Sequence, residues 1–291
     1  MKFGIIANTQ MPRIWEVLPD FLDWIESKGP TILVCDDLQS NLKKPKARFS
    51  PATQLAEVSD MILSFGGDGT LLSTARKVGR HQTPILGVHL GGLGYLAEIS
   101  LESLYPRIEE LLSGDYRVED RIVLCCQVEG SSQKYFALND IVISKGAYPR
   151  VVRIRTTIGG RYLNTYTGDG LIIATPTGST AYSLSSGGPI VEPSLNALIV
   201  NPISPHTLAD RPMIIGDDQE IEALLEGRYD ALTLVADGQV ERTLKTGDRV
   251  LISRADYVVK LVLFRDKFFY DVLREKLKWG GISLPQSESP R

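Results

Sequence analysis

Cysteine is scarce in this chain: Cys35, Cys125 and Cys126 are the three among 291 residues. An odd count without framework spacing excludes a secreted disulfide scaffold, and a reducing, cytoplasmic setting is expected. Histidine is as scarce, and His81, His89 and His206 have no metal-ligand spacing, so no protein-built metal cage is expected. No apolar run reaches the roughly 18 residues that a membrane helix requires. The opening MKFGIIANTQMPRIW is interrupted by polar residues and Pro12, so no signal peptide is expected. An excess of one charge is missing too. With 32 basic and 35 acidic residues the formal net charge is -3, which gives no reason to expect a nucleic-acid or membrane partner. A local phosphate site remains compatible with that balance.

What is present is a change of texture near residue 120. KFGIIAN reads as a strand, and IWEVLPDFLDWIESKG as a helix ending at Gly29 despite Pro19. TILVC is a strand, and DDLQSNLKKPKARFSP a loop. EVSDMILSF is the next strand, TLLSTARKVG a helix, PILGVHL a strand and SLESLYPRIEELLSG a helix. This alternation predicts an α/β domain with a mainly parallel sheet. From RIVLCCQVEG onward, short apolar runs separated by Gly, Asn or Asp predict a β-rich domain. Within it VRIRTTI should hold Arg153 and Arg155 on one face, either solvated or touching phosphate. FFYDVLREKLKWG reads as a terminal helix stopped by Gly280 and Gly281, with SLPQSESPR as a flexible tail. The expected division is 1–120, 121–266 and 267–291.

Chemistry concentrates in two stretches. FGGDGTLL, residues 65–72, crowds three glycines around Asp68 directly after a strand. Gly66 and Gly67 can adopt backbone angles closed to other residues and let a ligand approach the main chain closely, and the turn's amides, with the start of the next helix, can receive phosphate oxygens. A carboxylate there would repel phosphate unless it meets a metal, a hydroxyl or a proton; alternatively Asp68 merely caps the helix. The pattern lacks the lysine of GxxxxGK[ST], and the first strand does not end in GxGxxG. GGLGYLAE, residues 91–98, is either a ligand loop or a tight turn. The second stretch, GDGLIIATPTGSTAYSLSSGGPI at 168–190, strings small hydroxyl side chains between breakers, a composition suited to hydrogen-bonding a nucleotide without crowding it.

FGGDGTLL, ALNDIVI at 137–143 and DGLIIATPTGSTAYSLSSGGPI together resemble the motifs of the bacterial ATP-dependent NAD kinase family. PISPHTLADRPMII, VADGQ and FFYDVLREKLKWG extend the resemblance over nearly the whole chain. GGDGT alone is less specific, since lipid kinases carry it too. The resemblance implies transfer of a phosphoryl group from ATP to the 2'-hydroxyl of the adenosine ribose of NAD. It implies Asp68 as general base between Gly67 and Gly69. It also implies dinucleotide contacts from Tyr95, Asn139, Asp140, Arg150, Thr167, Asp169 and Gln239, and from Thr177 together with Thr180, Ala181, Tyr182, Ser183, Leu184 and Ser185. Asn139 would address the adenine end, Asp140 a ribose hydroxyl, and Asp169 the nicotinamide ribose, in relatives often across a subunit interface. Two departures stand out: Asp140 replaces a glutamate found in some relatives, and Thr167 replaces an arginine found in many. The fold implied is an α/β domain, a β-sandwich-like domain and a final helix returning to the first. A divalent cation, by default magnesium, would arrive with ATP, and a homodimer or homotetramer is expected. A lipid kinase and a non-catalytic NAD sensor are the competing classes.

Overall fold

In the computed structural model, residues 1–42, 48–92, 94–146, 150–227 and 232–279 are described. The first part alternates strands and helices. β1 (Lys2–Ala7), α1 (Arg13–Ser27), β2 (Thr31–Cys35), β3 (Arg48–Ser50), α2 (Ala52–Val58) and β4 (Met61–Gly66) are followed by α3 (Asp68–Val78), β5 (Ile85–His89), β6 (Ile99–Ser100) and α4 (Leu104–Ser113). β3, β2, β1, β4 and β5 lie side by side in parallel. β4 is buried along its whole length, which is why MILSFG reads as an unbroken apolar run: helices cover both faces of a parallel sheet.

The second part is built from strands: β7 (Arg117–Val128), β8 (Lys134–Ala137), β9 (Asp140–Ser144), β10 (Val152–Ile158), β11 (Arg161–Gly168) and β12 (Gly170–Ala174). The short α5 (Tyr182–Ser185) follows, then β13 (Ala197–Ile203), β14 (Met213–Gly216), β15 (Ile221–Glu226), β16 (Leu232–Ala236), β17 (Val240–Leu244), β18 (Arg249–Leu263) and α6 (Phe269–Leu277). β14, β13, β12, β9, β16 and β17 form one antiparallel sheet. It packs on β7, β8, β10, β11, β15 and β18 around a shared apolar core that includes Leu124, Ile143, Ile154, Leu171, Val200 and Ile252. The domain is thus a sandwich, and its second sheet is continuous with the parallel sheet, because β18 pairs with β5 through Leu261 and Ile85.

Most elements lie where the sequence places them, and the exceptions have local causes. Glu57 and Val58 close α2 rather than opening the strand, which begins at Met61. The polar stretch after Cys35 contains a helical turn at Asp36–Leu38 and the edge strand β3, not loop alone. α1 passes through Pro19 and stops at Ser27, with Gly29 at φ 103°. Arg153 and Arg155 share the exposed face of β10, over Glu226 and the Tyr162 ring respectively. α6 comes back to the first domain, with Lys276 Nζ 5.6 Å from the centre of the Tyr95 ring. Residues 43–47, Leu93, Gly280, Gly281 and the tail lie outside the described residues. None of the described helices is long and apolar enough to cross a membrane.

Candidate active site

β4 delivers the glycine turn to the carboxyl end of the parallel sheet, where open α/β sheets bind ligands. Neither Gly66 nor Gly67 uses the positive φ open to glycine. Gly66 is required by proximity instead, since a Cβ there would stand 2.1 Å from Thr70 Oγ1. Gly67 is extended at φ -129° and faces open space, which leaves its backbone approachable. Gly67 and Gly69 line an open cleft of about 640 Å³ with Asn8, Thr9, Thr70, Ser73 and Lys77. Three features converge there: exposed main chain, small hydroxyls and the amino end of α3, an arrangement that suits phosphate.

Asp68 does not cap the helix from outside. It is the first residue of α3, and its carboxylate accepts hydrogen bonds from Tyr95 N at 2.8 Å and Leu96 N at 3.1 Å. The GGLGYLAE segment is therefore the clamp of that carboxylate. Gly94 leaves room for it: a Cβ at Gly94 would fall 2.0 Å from Asp68 Oδ1. Burial, and then the charge of Asp68, push the Tyr95 phenol above its ordinary pKa.

A second pocket, of about 390 Å³, is lined by Asn139, Asp140, Val142, Ser144, Ala181, Tyr182, Val235, Asp237 and Gly238. Asn139 Oδ1, and also Thr177 Oγ1, which belongs to a residue outside the pocket lining, are buried without a hydrogen-bond partner among the described residues. Orphaned acceptors of this kind are costly unless a ligand donor, such as an exocyclic amine or a hydroxyl, completes them. Gly178 packs on the Asn139 backbone, where a Cβ would come within 2.1 Å of the carbonyl oxygen. Asp140 is 4% exposed, and burial followed by the neighbouring charge of Asp237 raises its pKa to about 7. Asp237 is raised by burial as well, but it accepts from Leu138 N, Asn139 N and Asp140 N at 2.9, 2.7 and 3.3 Å, and Arg76 lies nearby. Three backbone donors favour the charge on Asp237, so the proton of the pair resides more readily on Asp140.

The two cavities adjoin. Gln239 Nε2 donates to Gly69 O at 3.0 Å, and Gly238, its neighbour in the turn between β16 and β17, lines the second pocket. Other sequence-predicted residues stand apart. Ser183 is buried against Asn201, Thr180 Oγ1 donates to Thr177 O, and neither these two nor Leu184 and Ser185 line the second pocket. Thr167, exposed Arg150 and Asp169, paired with Lys145 Nζ at 2.7 Å, line neither cavity. Sequence reasoning missed Asn8, Thr9, Ser73 and Lys77 of the cleft, and Arg76 and Asp237. Only the Asp-Gly turn of VADGQ carried a local signal.

Among the described residues, one group of three ligand-type side chains is close enough to share an ion: Cys35, Asp36 and Asp37. Asp37 lies at the rim of the cleft, 3.4 Å from Lys77 Nζ. Magnesium takes oxygen ligands. The two exposed carboxylates fit a hydrated magnesium ion, whereas the Cys35 thiol, pushed up to about 11 chiefly by burial, does not.

Comparison with known proteins shows the family and the fold. Residues 3–116 match the ATP-NAD kinase N-terminal domain, and residues 138–264 the ATP-NAD kinase C-terminal domain. The chain is 43% identical over 284 residues to the NAD kinase of Citrifermentans bemidjiense, covering 96% of this chain and 99% of that protein. It is 41% identical over 291 residues to the NAD kinase of Moorella thermoacetica, covering 99% and 93%. The fold superposes on a yeast NADH kinase complexed with NADH with a TM-score of 0.89 at 24% identity, covering 99% of this chain and 90% of that one. An Archaeoglobus fulgidus NAD kinase in complex with ATP gives 0.75 at 24% identity, covering 96% and 99%. The family resemblance read from the motifs is borne out, and the chain belongs to the ATP-NAD kinase family.

Proposed function

We propose that this protein transfers the γ-phosphoryl of ATP to the 2'-hydroxyl of the adenosine ribose of NAD, giving NADP and ADP. The observation that carries the reading is the Gln239–Gly69 hydrogen bond, which joins the glycine-lined cleft to the pocket of Asn139 and Asp140. The cleft takes the triphosphate, and the pocket takes the adenosine end of NAD. Asn139 Oδ1 and Thr177 Oγ1 receive donors from the dinucleotide, while Asp140, with its pKa near neutrality, can donate to or accept from a ribose hydroxyl. Asp68 accepts the hydroxyl proton as attack on phosphorus develops. Most of its value lies in position and electrostatics. Magnesium delivered with ATP would supply charge neutralisation at the phosphates, and Asp37 at the cleft, with Asp36 beside it, could hold its water shell.

A division near residues 120 and 266 separates the donor-binding unit, the dinucleotide-binding sandwich and the returning helix. Asp169, which lines neither cavity of its own chain, fits a role across the interface of a homodimer or homotetramer, with Thr167 and Arg150 near the same edge of the sandwich. A cytoplasmic setting suits three thiols without disulfides. The deciding experiment supplies purified protein with magnesium, ATP and NAD, with NADH and a diacylglycerol in parallel. NADP with equimolar ADP is expected. Phosphorylated diacylglycerol, or NAD binding without turnover, would refute the assignment. Asp68→Asn should lower turnover by about 100-fold or more while NAD binding persists.

A further inference from the structure

Arg76 lies on α3, one face of the helix that begins at Asp68, and reaches out of its domain. Its Nη1 donates to Gln239 Oε1 at 3.1 Å, and the same Gln239 side chain donates to Gly69 O at 3.0 Å. Its Nη2 stands 3.9 Å from Asp237 Oδ2, an ion-pair separation beyond hydrogen-bond reach. Nε and Nη2 are buried and make no hydrogen bond among the described residues. Asp237 in turn holds the backbone of Leu138, Asn139 and Asp140, in a turn where its own φ is 51°. One guanidinium thus touches both the carrier of the glycine turn and the anchor of the Asn139–Asp140 pair.

We propose that Arg76 is a positioning residue that sets the distance between the phosphoryl-donor turn and the ribose-binding pair, acting through Gln239 and Asp237. The inference rests on the kinase reading above. The gap to Asp237 leaves about 1 Å of travel to a charge-assisted hydrogen bond near 2.8 Å, so closing it draws α3 toward the dinucleotide pocket. Misplacement on that scale is enough to cost about 100-fold in a reaction that depends on alignment. A lysine supplies the charge without the fork that reaches Gln239 and Asp237 together.

The test is steady-state kinetics of full-length wild type, Arg76→Gln, Arg76→Lys, Gln239→Ala and the Arg76→Gln/Gln239→Ala double variant, with melting temperature and amide exchange on each. Arg76→Gln is expected to lower kcat by about 30-fold or more with the KM for NAD within about threefold, and Arg76→Lys to fall between it and wild type. The double variant should be little worse than Arg76→Gln, since both changes break one chain of contacts. Amides of residues 138–140 should exchange faster in Arg76→Gln. An Arg76→Gln enzyme with wild-type kcat, or one whose loss follows only its folded fraction, overturns the positioning role. Wild-type protein that binds NAD yet forms no NADP overturns the kinase reading, and the role of Arg76 in turnover with it.

Discussion

Asp140 and Asp237 are two buried carboxyls in one pocket, and their environments divide the work between them. Asp237 has backbone donors for its charge, and its removal would strand three N–H groups, each costing about 1–3 kcal/mol when left unpaired. Among the described residues none donates a hydrogen bond to the Asp140 carboxyl, and its pKa rises from 3.8 to about 7. Between these values the folded protein holds a proton that the unfolded chain has released. Stability therefore falls as pH rises from about 4 to 7 and levels off above that. Asp140→Asn removes this dependence, so its unfolding free energy relative to wild type should be higher at pH 8 than at pH 5, a difference on the order of 1–3 kcal/mol. Equal offsets at the two pH values would show that Asp140 ionises freely in the folded state. The two carboxyls are coupled, so the difference measured belongs to the pair rather than to Asp140 alone.

At the level of elements, the proposed donor site is a strand, a turn and a helix held from the side by a second loop. The clamp explains why Asp68 needs Gly94. A methyl group at Gly94 would overlap the carboxylate at 2.0 Å from Oδ1, and Asp68 must move because its Tyr95 and Leu96 donors belong to the same loop. Gly94→Ala is expected to lower kcat about 100-fold with circular dichroism unchanged, and full activity would show that the clamp does not set the catalytic geometry. This relation also marks how far sequence reasoning reached. β4 and α3 were legible because an apolar run followed by a helical period has few alternative readings, and the hydroxyl-rich segment announced itself by composition. α2 was not legible, because ATQLAEV offers barely two turns and its last residues abut the strand. The Asp68 clamp left two open readings of GGLGYLAE, since nothing local says which carboxylate its amides will meet. Arg76 and Asp237 looked like an ordinary helix residue and an ordinary turn residue; their meeting depends on tertiary pairing between distant segments, which periodicity cannot express.

For the whole molecule, the decisive feature is that two domains share one sheet. β18 runs 15 residues, pairing with β7 and β15 in the sandwich and with β5 in the parallel sheet. Its Val259, Leu261 and Val262, together with Phe264 just beyond it, belong to the same core as Phe3, Phe21 and Phe65 of the first domain. Around this junction the Glu98 carboxylate accepts from Phe264 N at 2.9 Å, Lys267 donates to the Glu98 carbonyl, Arg80 pairs with Asp256 at 2.6 Å, and Arg107 with Asp266 at 2.5 Å. The exposed pairs contribute little, about 0–1 kcal/mol each, so the shared core carries the coupling. Domains joined by small polar contacts melt separately, whereas unfolding either unit here would expose the apolar face of the other. Calorimetry of the full chain should therefore give one transition, and saturating NAD, proposed above to bind the sandwich, should raise the whole of it. Phe264→Ala, which opens a cavity at the junction, is expected to cost about 3–5 kcal/mol and to lower that transition without splitting it. Two resolved transitions, with only the sandwich responding to NAD, would mean that β18 pairs across the domains without making them one cooperative unit.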